Sequence, residues 1–333
     1  GVRCGLRERS LGSPESFPVV YARTKFMELA GQEGVRAPKT QVIKNANDLR
    51  HWIEGAGFPT VLKTNGSSGG YGVRVVSTME EAERAFSVLK APPLTARAAK
   101  RAVIDNDLTL VWPSLLRRRS VVNAQAYVPG REATSAVACW KGTVLADIHF
   151  EVLSKMDPTG PATVLRRFEH SEMSESIEKM ARRLNLSGIH GFDFMLEADT
   201  GNAYLIEINP RAPQVGHLTL GPGRDLPAAL YSAVSGQAAH PSSKVTDNDT
   251  IALFPHEWLR DPLSPFLQSG YHDVPWEDPG LVVACVQRPA KHSARHRQKS
   301  WTQALSAVQV PRVKTLNVTQ DAGIQTSSPV RLE

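Results

Sequence analysis

The 333-residue sequence lacks the long apolar runs that membrane-spanning helices require. No stretch approaches the roughly 18 consecutive apolar residues of such a helix, and the N-terminus has no apolar segment of the signal-peptide type. Cysteine is also scarce, and the three widely spaced residues Cys4, Cys139 and Cys285 predict neither a disulfide framework nor a zinc cluster. These absences exclude membrane-spanning and disulfide-stabilised classes and favour a cytoplasmic protein.

Excess positive charge is confined to the C-terminus. The residues from Arg288 onward include eight Lys or Arg residues and two acidic residues, so this segment carries the whole net charge of +6. It has no recognisable nucleic-acid recognition motif with interleaved aromatic residues, and basic runs of this kind are typical of solvated tails. We expect residues 288–333 to be a flexible basic tail, and we do not expect nucleic-acid binding.

Helical and strand periods alternate along the chain, which indicates a mixed α and β fold. A hydrophobic content of 41% is enough for a sizeable core. The patterns predict helices over 22–33, 47–54, 78–89 and 173–184. They predict strands over 40–43, 59–63, 73–76, 121–128, 133–140 and 143–152.

A predicted pair of strands between residues 192 and 209 carries the most specific chemical pattern. Phe192, Phe194 and Leu196 alternate with polar or less apolar positions, and an Asp-Thr-Gly-Asn turn joins this run to a second one that ends at Asn209. If the hairpin is centred on Thr200, Asp193 lies opposite Glu207, and Asn209 points to the same face. Two facing carboxylates repel each other, so the pair requires a compensating cation. Hard oxygen ligands favour Mg²⁺ or Mn²⁺, and we predict a metal site at Asp193, Glu207 and Asn209.

A glycine-rich segment at 66–72 follows a short strand that ends at Lys63. It lacks the Lys-Ser/Thr ending of a P-loop, and it is not a G-x-G-x-x-G motif. It does match G-x-S-x-G, but a strand follows where a nucleophile elbow requires a helix. The remaining interpretations are an ordinary β-turn or a hairpin loop whose backbone N–H groups close over phosphates while Lys63 pairs with them.

Together these features resemble the ATP-grasp superfamily over most of residues 20–235. The resemblance implies an α+β fold in which two lobes enclose ATP. It also implies formation of an acyl phosphate from a carboxylate, followed by attack of an amine or similar nucleophile. The Asp193, Glu207 and Asn209 set is close to that of carbamoyl-phosphate synthetase-like and biotin carboxylase-like members. The implied cofactors are ATP and Mg²⁺ or Mn²⁺, and the implied substrates are a small-molecule carboxylate and an amine.

The resemblance also implies roles for individual residues. Lys63 and Arg23 would contact phosphates under the glycine loop, and Arg211 would lie near the transferred phosphate. Gln125 stands where many members have an acidic residue that contacts the ribose, so that contact is in doubt. The complete implied nucleotide set is Arg23, Lys63, Gly69, Gly70, Gly72, Gln125, Tyr127, Val128 and Glu132, and the implied catalytic pair is Lys63 and Arg211.

Each role has a purely structural alternative. Several strand residues could simply be exposed, namely Lys63, Glu132, Asp193 and Glu207. Arg23 could be a salt-bridged helix residue, and Arg211 could pair with a nearby carboxylate. Within the same fold, a bicarbonate-using carboxylase or a carbamoyl-phosphate synthetase-like enzyme is an alternative. A non-catalytic ATP-binding module is the alternative from another class.

The expected organisation has five parts. Residues 1–20 would be a remnant of a preceding domain or a linker, since the chain begins with Gly1 and a helical pattern starts at residue 22. Residues 21–125 would form the N-terminal lobe with the glycine loop, and residues 126–240 the C-terminal lobe with the metal site. Residues 241–287 would be a C-terminal extension that precedes the basic tail.

Overall fold

A computed structural model describes residues 13–65, 70, 72–92, 115–117, 119–239 and 243–287. These residues all belong to the first of two units, Gly1–Arg288 and Pro289–Glu333. The predicted basic tail, residues 1–12 of the predicted remnant and Gly69 lie outside the described residues. None of the described helices is long and apolar enough to cross a membrane. The five-part organisation therefore stays a prediction.

The described elements alternate between helices and strands. The helices are Phe17–Tyr21 (α1), Arg23–Gln32 (α2), Ala46–Ala56 (α3), Met79–Lys90 (α4), Ser171–Leu184 (α5), Leu226–Ser235 (α6), His256–Arg260 (α7), Phe266–Ser269 (α8) and Pro279–Gln287 (α9). The strands are Thr40–Ile43 (β1), Thr60–Thr64 (β2), Val73–Val76 (β3), Val122–Ala126 (β4), Gly130–Trp140 (β5), Thr143–Lys155 (β6), Ala162–Phe168 (β7), Gly188–Glu197 (β8), Ala203–Asn209 (β9), Thr250–Ala252 (β10) and Tyr271–His272 (β11).

A four-stranded antiparallel sheet has the order β1-β4-β2-β3. Helices α3 and α4 pack on one face, where Trp52, Leu62 and Phe86 are buried in a common core. Since side chains alternate along β2, Val61 and Lys63 point to the opposite face. Thr78 caps the N-terminus of α4, because its hydroxyl accepts a hydrogen bond from the Glu81 N–H at 3.2 Å.

A seven-stranded sheet has the order β11-β10-β7-β6-β5-β8-β9, and its strand pairs are antiparallel except for β10 with β11. Helix α5 packs on one face through Met173 and Ile177, which share a core with Phe192 of β8. Helix α2 joins this core through Phe26. Helix α6 packs on the other face, where Leu226 meets β5 and β6. The fold is α+β, and the described residues form two sheets.

A buried polar network connects α5 to β5 and β6. The two ring nitrogens of His149 lie 2.8 Å from the hydroxyl oxygens of Ser135 and Ser174. Ser174 also donates to Asp147 Oδ2 at 2.8 Å. Burial lowers the pKa of the His149 imidazole, so the neutral ring is the form that fits this network.

The sequence-based predictions did not include several described elements, among them α1, β7, α6 and the short helices and strands between residues 250 and 287. Strand β7 has two arginines before its last residue, and α6 has no charged residue and only one fully buried position, so neither shows a clear period. Helix α3 is longer than the predicted range 47–54, because it runs from Ala46 to Ala56, and Gly57 follows it. Gly57 has a φ of +74°, a conformation that glycine adopts without steric cost.

Candidate active site

Strands β8 and β9 form the predicted hairpin. The register places Asp193 opposite Glu207, and Asn209 opposite Gly191, so the predicted pairing is confirmed. The register shifts by one residue between Asp193 and Phe194, which leaves Ile206 as the extra residue of a β-bulge. Leu205 and Ile208 both face the core, whereas Ile206 and Glu207 both line a cavity. The bulge therefore turns Glu207 onto the same face as Asp193.

Both carboxylate oxygens of Asp193 accept hydrogen bonds from neighbouring side chains. Thr134 Oγ1 of β5 donates to Oδ1 at 2.8 Å, and Asn209 Nδ2 donates to Oδ2 at 2.8 Å. Burial, followed by the nearby charge of Glu207, raises the pKa of the Asp193 carboxyl to about 6. Because the Asn209 nitrogen is engaged with Asp193, the amide oxygen is the atom left to act as a ligand.

Glu207 forms an ion pair with Arg23. The guanidinium Nη1 lies 2.9 Å from Glu207 Oε2, and the two side chains are 11% and 26% exposed. The structural alternative for Arg23, a salt-bridged helix residue, is thus the arrangement in this structure. The Arg23 guanidinium therefore supplies part of the positive charge that the two facing carboxylates require.

Lys63 is the second cation next to the carboxylates. Its side chain extends from β2 and is almost completely buried, with the residue 6% exposed. Burial and then the charge of Arg23 lower the pKa of the Lys63 ammonium to about 8, although Glu207 and Asp193 raise it. The alternative that Lys63 is an exposed strand residue is wrong.

A cavity of about 490 Å³ lies between the two sheets. Most of the predicted residues line it, which brings Gly70, the segment 125–128 and the hairpin to one place. Those lining it are Arg23, Lys63, Gly70, Gln125, Tyr127, Val128, Glu132, Asp193, Glu207, Asn209 and Arg211. Gly72 instead continues the pairing of β2 with β3, since its carbonyl accepts from the Thr64 N–H at 2.9 Å.

Gly70 touches the loop that connects β6 to β7. Its φ is +78°, and a Cβ built on it would lie 1.8 Å from the carbonyl oxygen of Thr159. Only glycine fits at this position without a shift of the backbone. The contact closes one side of the cavity.

The Gln125 side chain on β4 has a hydrogen-bonding partner within the protein. Its side-chain Nε2 donates to Thr40 Oγ1 at 3.1 Å, and the residue is only 3% exposed. The amide therefore links β4 to β1 as well as lining the cavity. Tyr127, two residues further on, is 42% exposed.

The sequence-based reasoning missed several residues that line the cavity. Lys155 donates to Glu132 Oε1 and to the Pro158 carbonyl, each at 2.5 Å. Thr134 holds Asp193, and Leu253 comes from the C-terminal extension, to which no role was assigned. None of the three stands in a motif, because the pairing of distant strands brings them to the site.

The donor set of the hairpin fits a hard divalent cation. Two carboxylates and an amide oxygen on one face are ligands that Mg²⁺ and Mn²⁺ accept. Within the described ranges, no group of three or more His, Cys, Asp and Glu side chains is placed to hold a metal ion. A metal at this site would therefore take the amide oxygen and further ligands that are not side chains of those types.

A family model described as "ATP-grasp domain" matches residues 114–214. Residues 114–214 are therefore similar to ATP-grasp domains. The matched segment includes Glu132, Asp193, Glu207 and Asn209, whereas Lys63 precedes it. The predicted α+β ATP-grasp fold is confirmed.

Curated proteins similar to this chain include carbamoyl phosphate synthase large chains. The protein from Sulfolobus acidocaldarius is 24% identical over 202 residues, which are 60% of this chain and 17% of that protein. The one from Haemophilus ducreyi is 18% identical over 259 residues, which are 77% of this chain and 22% of that protein. The chain thus spans about a fifth of the length of these relatives.

Two solved structures are similar to part of this chain. The biotin carboxylase domain of Hydrogenobacter thermophilus 2-oxoglutarate carboxylase has a TM-score of 0.48 at 17% identity, covering 69% of this chain and 48% of that chain. An N5-carboxyaminoimidazole synthetase from Staphylococcus aureus has a TM-score of 0.47 at 16% identity, covering 67% of this chain and 53% of that chain.

Proposed function

We propose that the protein is an ATP- and Mg²⁺-dependent ligase that activates a carboxylate as an acyl phosphate and joins it to an amine or similar nucleophile. It would act on small molecules in the cytoplasm. The observation that carries the proposal is the cavity in which buried Lys63 and Arg23 face Asp193, Glu207 and Asn209. Phosphoryl transfer to a carboxylate brings anions together, so a site for this reaction needs cations more than proton donors.

The nucleotide would lie between the two sheets. Backbone groups of Gln125, Tyr127 and Val128 would bind the base, and Glu132 would line the nucleotide site. Gly69, Gly70 and Gly72 would belong to the loop over the phosphates. The contact of Gly70 with Thr159 supports this role, because a closed loop keeps water from the acyl phosphate.

The polyphosphate would lie at the carboxylate end of the cavity. Asp193, Glu207 and the Asn209 amide oxygen would hold Mg²⁺ or Mn²⁺, which when bound neutralises charge on the phosphate oxygens. Lys63 and Arg23 would pair with phosphate oxygens from the small sheet and α2. Arg211 would contact the transferred phosphoryl group. No side-chain nucleophile is required.

Calorimetry of ATP binding with and without Mg²⁺ tests the proposal. The wild type should bind ATP in a Mg²⁺-dependent manner, and a variant with Glu207→Gln and Asn209→Ala should lose most of that dependence. Screening of carboxylates and amines for ADP release then identifies the substrates. Absence of ATP binding by a folded wild-type protein would contradict the proposal.

The curated relatives favour one alternative, an enzyme that uses bicarbonate in the manner that the name carbamoyl phosphate synthase suggests. ADP release that requires bicarbonate and no other carboxylate would support it. ADP release that requires an organic carboxylate together with an amine would support the ligase. Tight ATP binding without release under any of these conditions would indicate a non-catalytic module.

A further inference from the structure

Arg23 contacts groups on both sides of the cavity. Its guanidinium contacts Glu207 Oε2 at 2.9 Å and donates through Nε to the Thr64 carbonyl at 3.0 Å. Its backbone N–H donates to Asn65 Oδ1 at 3.3 Å. The guanidinium therefore spans from the end of β2 to the metal-site hairpin.

The backbone of Arg23 is fixed by the first turn of α2. Thr24 Oγ1 donates to Asn123 Oδ1 at 2.6 Å, and Asn123 Nδ2 donates to Asn65 Oδ1 at 2.8 Å. Phe26, one turn further on, is buried in the core beneath the seven-stranded sheet. Any rearrangement at this point must therefore come from the arginine side chain rather than from the helix.

Arg23 and a metal would compete for the negative charge of Glu207. Mg²⁺ takes oxygen ligands at about 2.0–2.1 Å, and a second cation already lies 2.9 Å from Glu207 Oε2. Asp193 differs, because its two hydrogen bonds come from the neutral groups of Thr134 and Asn209. Glu207 is thus the ligand whose charge is neutralised before any metal binds.

Phosphate would compete with Glu207 for the same guanidinium. Arginine pairs with phosphate oxygens in a bidentate manner, and Lys63 next to Arg23 makes this end of the cavity attractive to an anion. We infer that Arg23 is a resident counter-ion that occupies Glu207 until a nucleotide phosphate takes its guanidinium, so that divalent metal binding depends on nucleotide. This inference rests on the proposed function, since it assumes that phosphate and metal share the cavity.

Mn²⁺ binding measured by electron paramagnetic resonance tests the inference without any turnover. The wild type, Arg23→Met and Arg211→Met are titrated with Mn²⁺ alone and then with Mn²⁺ in the presence of ATP. Arg211 is the matched control, because it is an arginine of the same cavity that lies next to the hairpin. Without nucleotide, Arg23→Met should bind Mn²⁺ about tenfold more tightly than the wild type, and Arg211→Met should change the affinity by less than about threefold. ATP should tighten Mn²⁺ binding to the wild type more than to Arg23→Met.

Two results would overturn the inference. One is an affinity of Arg23→Met for Mn²⁺ equal to or weaker than that of the wild type. The other is an equal gain in Arg211→Met, which would indicate a general loss of positive charge. If either result is found but the wild type still binds Mn²⁺ in the presence of ATP, only the inference about Arg23 fails and the proposed function stands. If the wild type does not bind Mn²⁺ even with ATP, both the inference and the proposed function are contradicted. If circular dichroism shows that Arg23→Met is unfolded, Arg23→Lys replaces it and should show a smaller gain in the same direction.

Discussion

Lys63 carries a charge that changes within the pH range of an ordinary binding assay. Its pKa is lowered to about 8, chiefly by burial, so the free protein loses this cation as the pH rises through that value. Phosphate binding favours the protonated form. ATP affinity should therefore fall as the pH rises above about 8, by at most about tenfold per pH unit.

Calorimetry of ATP binding between about pH 7 and pH 9.5 checks this expectation. Lys63→Arg is the control, because a guanidinium stays protonated over the whole range. The expectation fails if the affinity of the wild type is constant over this range, or if the arginine variant shows the same decline.

Most of the site residues predicted from the sequence line the cavity, but Lys155, Thr134 and Leu253 also line it and were not predicted. Lys63 and the Asp193, Glu207 and Asn209 set stand in short local patterns, so their neighbours in the chain reveal them. Lys155 and Thr134 reach the site because β5 pairs with both β6 and β8. That pairing joins segments far apart in the chain, and no local pattern reports it.

At the scale of elements, α5 depends on the buried network around His149 as well as on its apolar face. The folded protein binds a proton at His149 more weakly than the unfolded chain does, because burial lowers the pKa of the imidazole. The stability that follows from this difference is present above the ordinary histidine pKa of 6.5 and is lost as the pH falls below it. Wild-type stability should therefore decrease between about pH 7 and pH 5, with a slope from this residue of at most about 1.4 kcal/mol per pH unit.

Urea unfolding at several pH values measures this effect. His149→Gln keeps hydrogen-bonding groups without a titrating ring, so its stability should be lower at pH 7 and less dependent on pH. His51→Gln is the control, since the His51 side chain is 87% exposed. Equal pH slopes for the wild type and His149→Gln would rule out this role of the imidazole.

The predicted hairpin illustrates which features of an element a sequence reveals. The prediction paired Asp193 with Glu207 by centring the hairpin on Thr200, whereas next to the turn Leu196 pairs with Ala203, and it is the bulge that places Asp193 opposite Glu207. The bulge at Ile206 was not predicted, because Leu205 and Ile206 are both apolar and their order does not indicate which of them faces the core. Packing in the core determines which of them is buried, because Leu205 shares the core with Phe194.

At the scale of the whole molecule, the C-terminal extension is part of the seven-stranded sheet. Strand β10 pairs with β7, and Leu253 just beyond it is buried in the core with Leu226 while also lining the cavity. The extension is also tied to the loop after the hairpin, where Gln214 Nε2 lies 2.5 Å from His256 Nδ1.

Two leucines of the extension test this integration. Leu253 is 2% exposed, so Leu253→Ala should lower the free energy of unfolding by about 3 kcal/mol. Leu263 is 74% exposed, and Leu263→Ala should change it by less than about 0.5 kcal/mol. Urea unfolding of the two variants provides the comparison. Similar values for both would contradict an integral role for the extension.

The bulge in β9 has a consequence for comparing this chain with its relatives. Side chains alternate along a strand, so one residue gained or lost between Asp193 and Glu207 would turn Glu207 away from the cavity unless the bulge were also gained or lost. Gaps of two residues in the turn would leave both carboxylates facing each other. An alignment with a single-residue gap in this stretch therefore indicates either a hairpin without the bulge or an incorrect placement of the gap.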